Sequence, residues 1–333
     1  MEVAIVILNW NGVELLKAYL PEVIAHSPNA SLYVIDNAST DGSVELVRTR
    51  FPQVSCIENT GNLGFAGGYN AGLRKIKADV FCLLNSDVKV SEGWLTPIVS
   101  QFETDSKTAI VQPKILDLKK TGHFEYAGAG GGFLDKLGYP FCRGRIFQVL
   151  EEDLGQYDDI TEVFWATGAC MFIRTKVFWD LGGFDTRYFA HQEEIDLCWR
   201  AQNKGYSVFY NGFSKVYHLG GSTLSNSNPN KTYLNFRNSL YSITKNLPRR
   251  SAFKLIFYRL ILDGVAAVWF LFQLKPMHSL AILRAHLVFY INFRKLYKSR
   301  EKANFLLKYY RTKSIVWSHF VHQVKNFNNL VKD

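Results

Sequence analysis

The sequence predicts an α/β fold with a mostly parallel central sheet. Apolar runs at residues 3–8, 32–35 and 80–84 have strand length and few polar interruptions, as in strands buried on both faces. Helix patterns separate these runs, at residues 13–25, 43–50 and 69–77. Strands that alternate with helices along a chain assemble into a parallel sheet.

The remaining elements follow from shorter signals. Pro21 is expected to interrupt the first helix, and Ser91 is expected to cap a helix that contains Trp94. Residues 59–68 are expected to form a glycine-rich loop. Further strands are predicted at 54–57, 110–116, 164–173, 207–210 and 215–218, and a helix at 191–204.

Charge divides the 333 residues into two regions. From Lys231 onward, 19 Lys and Arg stand against 3 Asp and Glu, whereas residues 1–230 hold 20 against 26. An acidic body with a basic, aromatic tail favours an enzyme held at an anionic membrane surface over a nucleic-acid-binding protein. We therefore expect a catalytic domain at 1–230, with halves of about 1–105 and 106–230, and a helical region at 231–333.

The cysteines and the tail indicate where the protein resides. Five scattered cysteines without a close pair suggest reduced thiols in a cytosolic compartment, and no signal peptide is visible. The apolar segment 253–274 carries Lys254, Arg259 and Asp263, which a membrane span rarely holds. Helices lying on the inner face of the cell membrane are expected; the alternative is a soluble helical subdomain packed on the core.

Polar clusters follow three of the predicted strands, at residues 36–37, 59–62 and 85–87. Ligands of parallel sheets bind at the carboxyl ends of the strands, so these clusters predict a site. Asp36 can accept the imide N–H of uracil or thymine, or it can cap the following helix. Asp87 can bind Mg²⁺ or Mn²⁺ together with diphosphate oxygens, or it is an ordinary turn residue.

The acidic segment at 191–200 supplies a candidate base. On a helix, Asp196 and Arg200 can pair, and Glu194 is left beside the apolar face, free to point into a cleft. A partly desolvated carboxylate there suits general-base catalysis; alternatively, the acidic first turn only complements the helix dipole. His218 ends a strand before Gly220. It can be a metal or phosphate ligand, or it is a hydrogen-bonded loop histidine.

Together, these segments resemble the family 2 glycosyltransferases, closest to the rhamnosyltransferase-like branch of surface-polysaccharide assembly. Residues 85–87 stand where that family has its metal-binding D-x-D motif. The resemblance is carried by residues 6–12, 34–43 and 59–70 in the nucleotide-binding half, and by 167–169, 182–185, 193–200 and 217–222 in the acceptor half.

The resemblance implies a GT-A-like fold, a divalent metal (Mg²⁺ or Mn²⁺) held by Asp87 and His218, and Glu194 as the catalytic base. Because the acidic pair is Glu-Glu where the family usually has Glu-Asp, Glu193 and Asp196 remain alternative bases. The nucleotide-sugar-binding residues it implies are Asn9, Asp36, Asn62, Gly64, Phe65, Asn70, Asn85, Ser86 and Gly168.

The resulting hypothesis is an inverting glycosyltransferase. It would use dTDP-rhamnose or a UDP-sugar and act on a hydroxyl of a saccharide or polyprenyl-diphosphate-linked acceptor. One alternative is a sugar-phosphate nucleotidyltransferase, although residues 9–12 lack the glycine- and arginine-rich phosphate loop it would need. Another is a non-catalytic membrane-surface binding protein; a nucleic-acid partner is not expected.

Overall fold

The structure, a computed structural model, describes residues 1–220, 228–300 and 308–330. The first third contains β1 (Val3–Asn9), α1 (Val13–Ala25), β2 (Ser31–Asp36), α2 (Ser43–Arg50), β3 (Ser55–Glu58), α3 (Gly64–Leu73), β4 (Val80–Asn85), β5 (Val88–Val90) and α4 (Leu95–Thr104). The middle contains β6 (Thr108–Asp117), β7 (Gly132–Leu134), β8 (Pro140–Cys142), β9 (Arg145–Ile146), β10 (Val149–Leu150), β11 (Ile160–Glu162), β12 (Cys170–Arg174), α5 (Thr175–Asp180), a 3₁₀ turn (Thr186–Tyr188), α6 (Glu193–Asn203) and β13 (Ser207–His218). The C-terminal part contains α7 (Pro229–Asn246), α8 (Arg249–Phe272), α9 (Pro276–Lys298), α10 (Ile315–Phe320) and α11 (Phe327–Leu330).

A nine-stranded sheet forms the centre of the molecule. Its order is β11-β13-β6-β12-β4-β1-β2-β3, with β5 paired to β13. The strands β3, β2, β1 and β4 run parallel, and β12 is inserted antiparallel between β4 and β6. This architecture confirms the predicted α/β fold with a mostly parallel sheet. A smaller sheet of β7 to β10 lies beside it.

Helices cover both faces of the central sheet, because its inner strands carry apolar side chains on both faces. In β1, Ile5 and Ile7 enter one hydrophobic core while Ala4 and Val6 enter the other. All four side chains are buried. Burial on both faces explains the continuous apolar run in this strand.

The second half of the predicted glycine-rich loop, residues 64–68, belongs to helix α3, whose remainder overlaps the helix predicted at 69–77. The glycines of α3 allow close packing: a Cβ on Gly72 would lie 2.3 Å from Ile35 Cδ1, and one on Gly68 would lie 2.8 Å from Leu8 Cδ1. Helix propensity is a weak guide here because contact with β1 and β2 outweighs the cost of glycine in a helix.

Several boundaries differ from the sequence prediction. Helix α1 continues through Pro21, and Ser91 donates to the Lys215 carbonyl instead of capping α4. The strand predicted at 164–173 begins only at Cys170, whereas the two strands predicted at 207–218 are one strand with a register shift. For Ser91, the contact with the Lys215 carbonyl replaces the predicted cap.

The helices α8 and α9 form an antiparallel pair, here called the helical hairpin (residues 249–298). The rings of Phe253 and Phe293 lie 5.8 Å apart, and Ser279 Oγ donates to the Ala267 carbonyl at 2.7 Å. Helix α7 lies between this hairpin and the catalytic body. It begins at the predicted domain boundary of residue 230 and sends Lys245 and Asn246 into contact with α6.

Candidate active site

Asp36 lies at the carboxyl end of β2 and is almost completely buried. Asn9 Nδ2 donates to its Oδ1 at 3.0 Å, and the Ser39 amide donates to its Oδ2 at 2.8 Å. Both carboxylate oxygens therefore already accept hydrogen bonds and join β1 to the loop after β2. Each carboxylate oxygen can accept a further hydrogen bond, and the predicted contact of Asp36 with a pyrimidine base stays a prediction.

Asp87 and His218 lie side by side, as the metal prediction requires. His218 Nε2 lies 3.1 Å from Asp87 Oδ1, and His218 Nδ1 lies 3.4 Å from Glu125 Oε1. All three side chains are buried. Burial alone would lower the pKa of His218, but the two carboxylates outweigh it and raise that pKa to about 10.

The donor set of this cluster fits a hard divalent cation. Carboxylate oxygen and imidazole nitrogen both suit Mn²⁺. His218 Nδ1 is buried, and its contact with Glu125 Oε1 is an ion-pair contact at 3.4 Å without hydrogen-bond geometry. Within residues 1–220, 228–300 and 308–330, no three acidic, His or Cys side chains are arranged around a point where an ion would fit. Further ligands would therefore have to come from the substrate and water.

The start of α3 is closed by a backbone carbonyl. Phe65 N and Ala66 N donate to the Phe189 carbonyl at 2.8 and 3.4 Å. Gly64 has a φ of +70°, and a Cβ there would lie 2.6 Å from the Phe189 ring, so only glycine fits. Asn62 Oδ1 accepts from Gly64 N at 3.0 Å. These contacts occupy the first amides of α3, which are consequently not open to a phosphate group.

Asn70 has a structural role in this arrangement. Its Nδ2 donates to the Phe184 carbonyl at 2.7 Å, and its Oδ1 accepts from Phe184 N at 2.9 Å. The amide thus binds a loop backbone on both sides. This geometry argues against the predicted contact of Asn70 with the nucleotide sugar.

Other predicted residues form a continuous line along the sheet edge. Asn85 N donates to the Ala169 carbonyl at 3.0 Å. Next to it, Gly168 lies so close to Phe65 that a Cβ would come within 3.0 Å of the ring. Gly12 packs between Asn9 Oδ1 and Ser86 Oγ, at 2.5 and 3.7 Å from the position of a Cβ. Gly221, Ser222 and Thr223 lie outside the described residues.

The helix α6 begins with Glu193 and Glu194. Each has a buried Oε2 without a hydrogen-bond partner, a rare state for a carboxylate in a folded protein. Burial raises the pKa of Glu194 to about 7, although backbone amides of the helix start partly offset this. Burial, and next the charge of Glu194, raise the pKa of Glu193 well above its ordinary value.

Asp196 differs from these two glutamates. Its carboxylate accepts from Arg200 Nε, Lys245 Nζ and Asn246 Nδ2, each at 2.8 Å. Burial alone would raise the pKa of Asp196, but Lys245 and Arg200 hold it below its ordinary value. Its side chain is fully buried. This geometry argues against Asp196 as a base and gives it a structural role.

Two residues near the site were missed by the sequence prediction. Glu125 lies in the irregular middle segment and has no sequence signal beyond being acidic. His191 Nε2 is buried without a hydrogen-bond partner, and burial, followed by the charge of Lys231, lowers the pKa of His191 to about 4. Its position two residues before Glu193 was a signal that could have identified it.

A cavity of about 200 Å³ lies elsewhere, beside the ion pairs of α6. Its wall includes Asp185, Arg200 and Lys245. None of the predicted site residues lines it. The cavity is therefore not evidence for the predicted donor site.

Curated relatives resemble this chain at low identity. An N-acetylglucosaminyl-diphospho-decaprenol L-rhamnosyltransferase of Mycobacterium tuberculosis is 24% identical over 209 residues, which cover 58% of this chain and 68% of that protein. A low-salt glycan biosynthesis hexosyltransferase of Haloferax volcanii is 24% identical over 212 residues, which cover 62% of this chain and 64% of that protein.

Solved structures share the fold. A structure of GalNAc-T7 with UDP, GalNAc and Mn²⁺ has a TM-score of 0.59 at 16% identity, covering 97% of this chain and 57% of that one. Staphylococcus aureus TarS 1–349 with UDP-GlcNAc has a TM-score of 0.55 at 12% identity, covering 90% and 91%. A Pyrobaculum calidifontis mannosyltransferase with GDP-Man and Mn²⁺ has a TM-score of 0.54 at 12% identity, covering 87% of both chains.

The family model described as "Glycosyl transferase family 2" matches residues 4–182, more than half of the chain. The match ends before α6, so it does not include Glu193, Glu194 or His218. Together with the GT-A neighbours, it sets aside the nucleotidyltransferase and the non-catalytic alternatives. The chain belongs to glycosyltransferase family 2 and is a glycosyltransferase of GT-A fold.

Proposed function

We propose that the protein transfers a sugar from a nucleoside-diphosphate sugar, dTDP-rhamnose or a UDP-sugar, to a hydroxyl of a saccharide or polyprenyl-diphosphate-linked saccharide. The product would enter cell-surface polysaccharide. The mycobacterial relative is named for L-rhamnose transfer to a diphospho-decaprenol-linked sugar, and two fold neighbours hold UDP or UDP-GlcNAc. These names support the class of donor and acceptor.

The observation that carries the proposal is the carboxyl group of Glu194. It has a buried, unpartnered Oε2 and a pKa of about 7, which suits a base near neutral pH. Glu194 takes the proton of the acceptor hydroxyl as its oxygen attacks the anomeric carbon. The bond from that carbon to the diphosphate breaks, and its electron pair leaves with the diphosphate. One displacement inverts the anomeric centre.

Asp87 and His218 would hold Mg²⁺ or Mn²⁺. Their donor atoms lie 3.1 Å apart, which is about the spacing of two neighbouring ligands around an octahedral ion with bonds of ~2.1 Å. When bound, the metal neutralises negative charge on the departing diphosphate. Two fold neighbours contain Mn²⁺, which supports this assignment.

The test is a panel of nucleotide sugars, with and without EDTA, scored for nucleoside diphosphate release in the presence of a lipid-linked acceptor extract. We expect acceptor-dependent release of dTDP or UDP that EDTA abolishes and Mn²⁺ restores. Asp87→Ala should abolish the metal-dependent rate. If no donor in the panel releases a nucleoside diphosphate, the proposed function is refuted. If EDTA leaves turnover unchanged, only the assignment of a metal is refuted.

We also propose that the protein is peripheral on the inner face of the cell membrane, attached through the helical hairpin. Helix α8 is the one helix of the described residues that is long and apolar enough to cross a membrane. However, Arg259 donates to Ser239 Oγ and to the Leu137 carbonyl, and it pairs with Asp263. Because these contacts bind α8 to the catalytic body, we favour attachment at the surface over a span.

The outer side of the hairpin is apolar. Large exposed side chains there include Phe257, Ile261, Val265, Trp269, Phe272, Leu283, Leu287 and Ile291. Exposed basic residues lie together at the open end of the hairpin, namely Arg249, Arg250, Lys254, Arg294, Lys295 and Lys298. An exposed apolar patch next to basic residues is the pattern of a surface that binds anionic lipid.

A further inference from the structure

The backbone immediately before helix α6 has an unusual conformation. Phe189, His191 and Gln192 have φ values of +65°, +67° and +67°. Residues other than glycine rarely adopt positive φ, and such conformations persist only where surrounding structure enforces them. Three of the four residues directly before Glu193 have positive φ. Contacts from outside this segment must therefore enforce the conformation.

The cause lies on α7. Asn238 is fully buried, and its Nδ2 lies within hydrogen-bond distance of three carbonyls in this segment. The distances are 2.7 Å to His191, 2.9 Å to Ala190 and 3.2 Å to Tyr188. These three carbonyls belong to the strained turn, so one side-chain amide holds its shape.

Neighbouring residues of α7 make further hydrogen bonds to the same segment. Arg237 donates to the carbonyls of Arg187 and Tyr188 at 3.1 and 2.9 Å. Its Nε also donates to Asn238 Oδ1 at 2.9 Å, which fixes the orientation of the amide. Gln192 in turn donates to the Asn235 carbonyl of α7 at 3.0 Å.

We propose that Asn238 is a positioning residue for catalysis, which holds the backbone of residues 188–191 in the shape that places Glu193 and Glu194. This inference rests on the proposed function. It makes α7, which follows the predicted catalytic domain, a part of the active site. Asn238 itself does not contact the reacting atoms; it acts through the backbone.

The test compares Asn238→Asp with Thr244→Val. Aspartate keeps the shape of asparagine but presents oxygen to the carbonyls. Thr244 is a matched control because it is buried on the same helix and its side-chain hydroxyl donates within that helix, to the Leu240 carbonyl. A displacement of about 1 Å at a catalytic group costs on the order of 100-fold in rate, so we expect that loss of kcat for Asn238→Asp and a near-normal kcat for Thr244→Val.

Two readouts separate positioning from simple loss of structure. In Arg237→Lys, which keeps the local charge, the acidic limb of the kcat–pH profile should move below its wild-type position, because a displaced Glu194 is less desolvated. The Kd for UDP with Mn²⁺ should stay within about twofold, since β1, β2 and β4 are untouched. If the variant only contains less folded protein, kcat falls by the same factor at every pH and the acidic limb does not move. That result would overturn the proposal.

If Asn238→Asp does not fold, Arg237→Lys takes its place, because lysine cannot reach both carbonyls and Asn238 Oδ1 together. An unchanged kcat and pH limb in that variant would overturn the inference. If the wild-type protein transfers no sugar at all, the proposed function fails instead. The two failures are therefore distinguishable.

Discussion

Two adjacent glutamates at the start of α6 sit in different electrostatic states. Glu193 is buried, and burial and the charge of Glu194 raise its pKa well above the ordinary range. Glu194 is partly exposed and its pKa is raised to about 7. Ionising one disfavours ionising the other because like charges repel at short range. The two carboxyl groups therefore influence each other's ionisation, and Glu194 has the pKa of about 7 that a base near neutral pH needs.

This difference predicts opposite results for two matched variants. Glu194→Gln should lower kcat about 10²–10⁴-fold, as expected for loss of a general base. Glu193→Gln should keep most of the activity, because glutamine resembles a neutral glutamic acid. Steady-state rates of both variants, with UDP binding as a control for folding, make the comparison. The assignment of the base is wrong if Glu193→Gln is the inactive variant.

The pH dependence follows from the same group. Glu194 must be ionised to accept a proton, so wild-type kcat should rise about tenfold per pH unit below pH 7 and level off above it. The profile should be measured at saturating substrate, so that binding does not contribute. A rate independent of pH between 5 and 8 would contradict this role.

Substitution of Asp196 should lower the stability of the protein, because its carboxylate holds buried basic side chains and is not the base. Asp196→Asn leaves Lys245 and Arg200 buried beside a neutral amide, which costs about 3–5 kcal/mol when one partner of a buried ion pair is removed. Denaturant unfolding monitored by circular dichroism measures this. Glu14→Gln, in an exposed pair with Lys17, is the control and should change stability little. Equal effects of both variants would contradict the structural role of Asp196.

Among the elements, α3 shows how packing contacts depend on glycine. Gly72→Ala should destabilise the protein by about 1–3 kcal/mol, because the new Cβ would lie 2.3 Å from Ile35 in β2. Gly264→Ala is a matched control in helix α8, where a Cβ meets nothing within 4 Å. It should stabilise by up to about 1 kcal/mol through helix propensity. Thermal unfolding of the two variants should therefore shift in opposite directions.

The same element shows which parts of the fold were predictable from the sequence. Strands such as β1 and β4 were predicted well because burial on both faces leaves a continuous apolar run. The first half of helix α3, residues 64–68, was predicted as loop because its glycines serve contacts with β1 and β2, and those neighbours are invisible in a local pattern. The site was predicted to the extent that it follows strand ends: Asp87 and His218 meet, whereas Glu125 and Asn238 come from segments without a motif.

At the scale of the whole molecule, the charge asymmetry found in the sequence has a structural location. Six exposed basic residues lie at the open end of the helical hairpin, and the apolar residues cover its outer side. The acidic body lies on the other side of α7. A surface of this kind is expected to orient the protein on an anionic membrane.

Membrane attachment can be tested by sedimentation with vesicles. Wild-type protein should bind vesicles that contain phosphatidylglycerol, and Val265→Glu with Trp269→Glu should weaken this binding because both side chains are exposed on the hairpin. Phe213→Glu, an equally exposed aromatic position on β13, should bind normally. Binding that is unaffected by the double variant would refute attachment through the hairpin.

The contacts between α7 and α6 have a practical consequence for expression. A chain ended at residue 230 would lose Lys245 and Asn246 and leave the Asp196 carboxylate with Arg200 as its remaining charged partner. It would also lose the amide of Asn238. Such a fragment should be insoluble or inactive even though it retains every residue expected to touch the donor. Shortening from the C-terminus should therefore stop after α7 at the earliest.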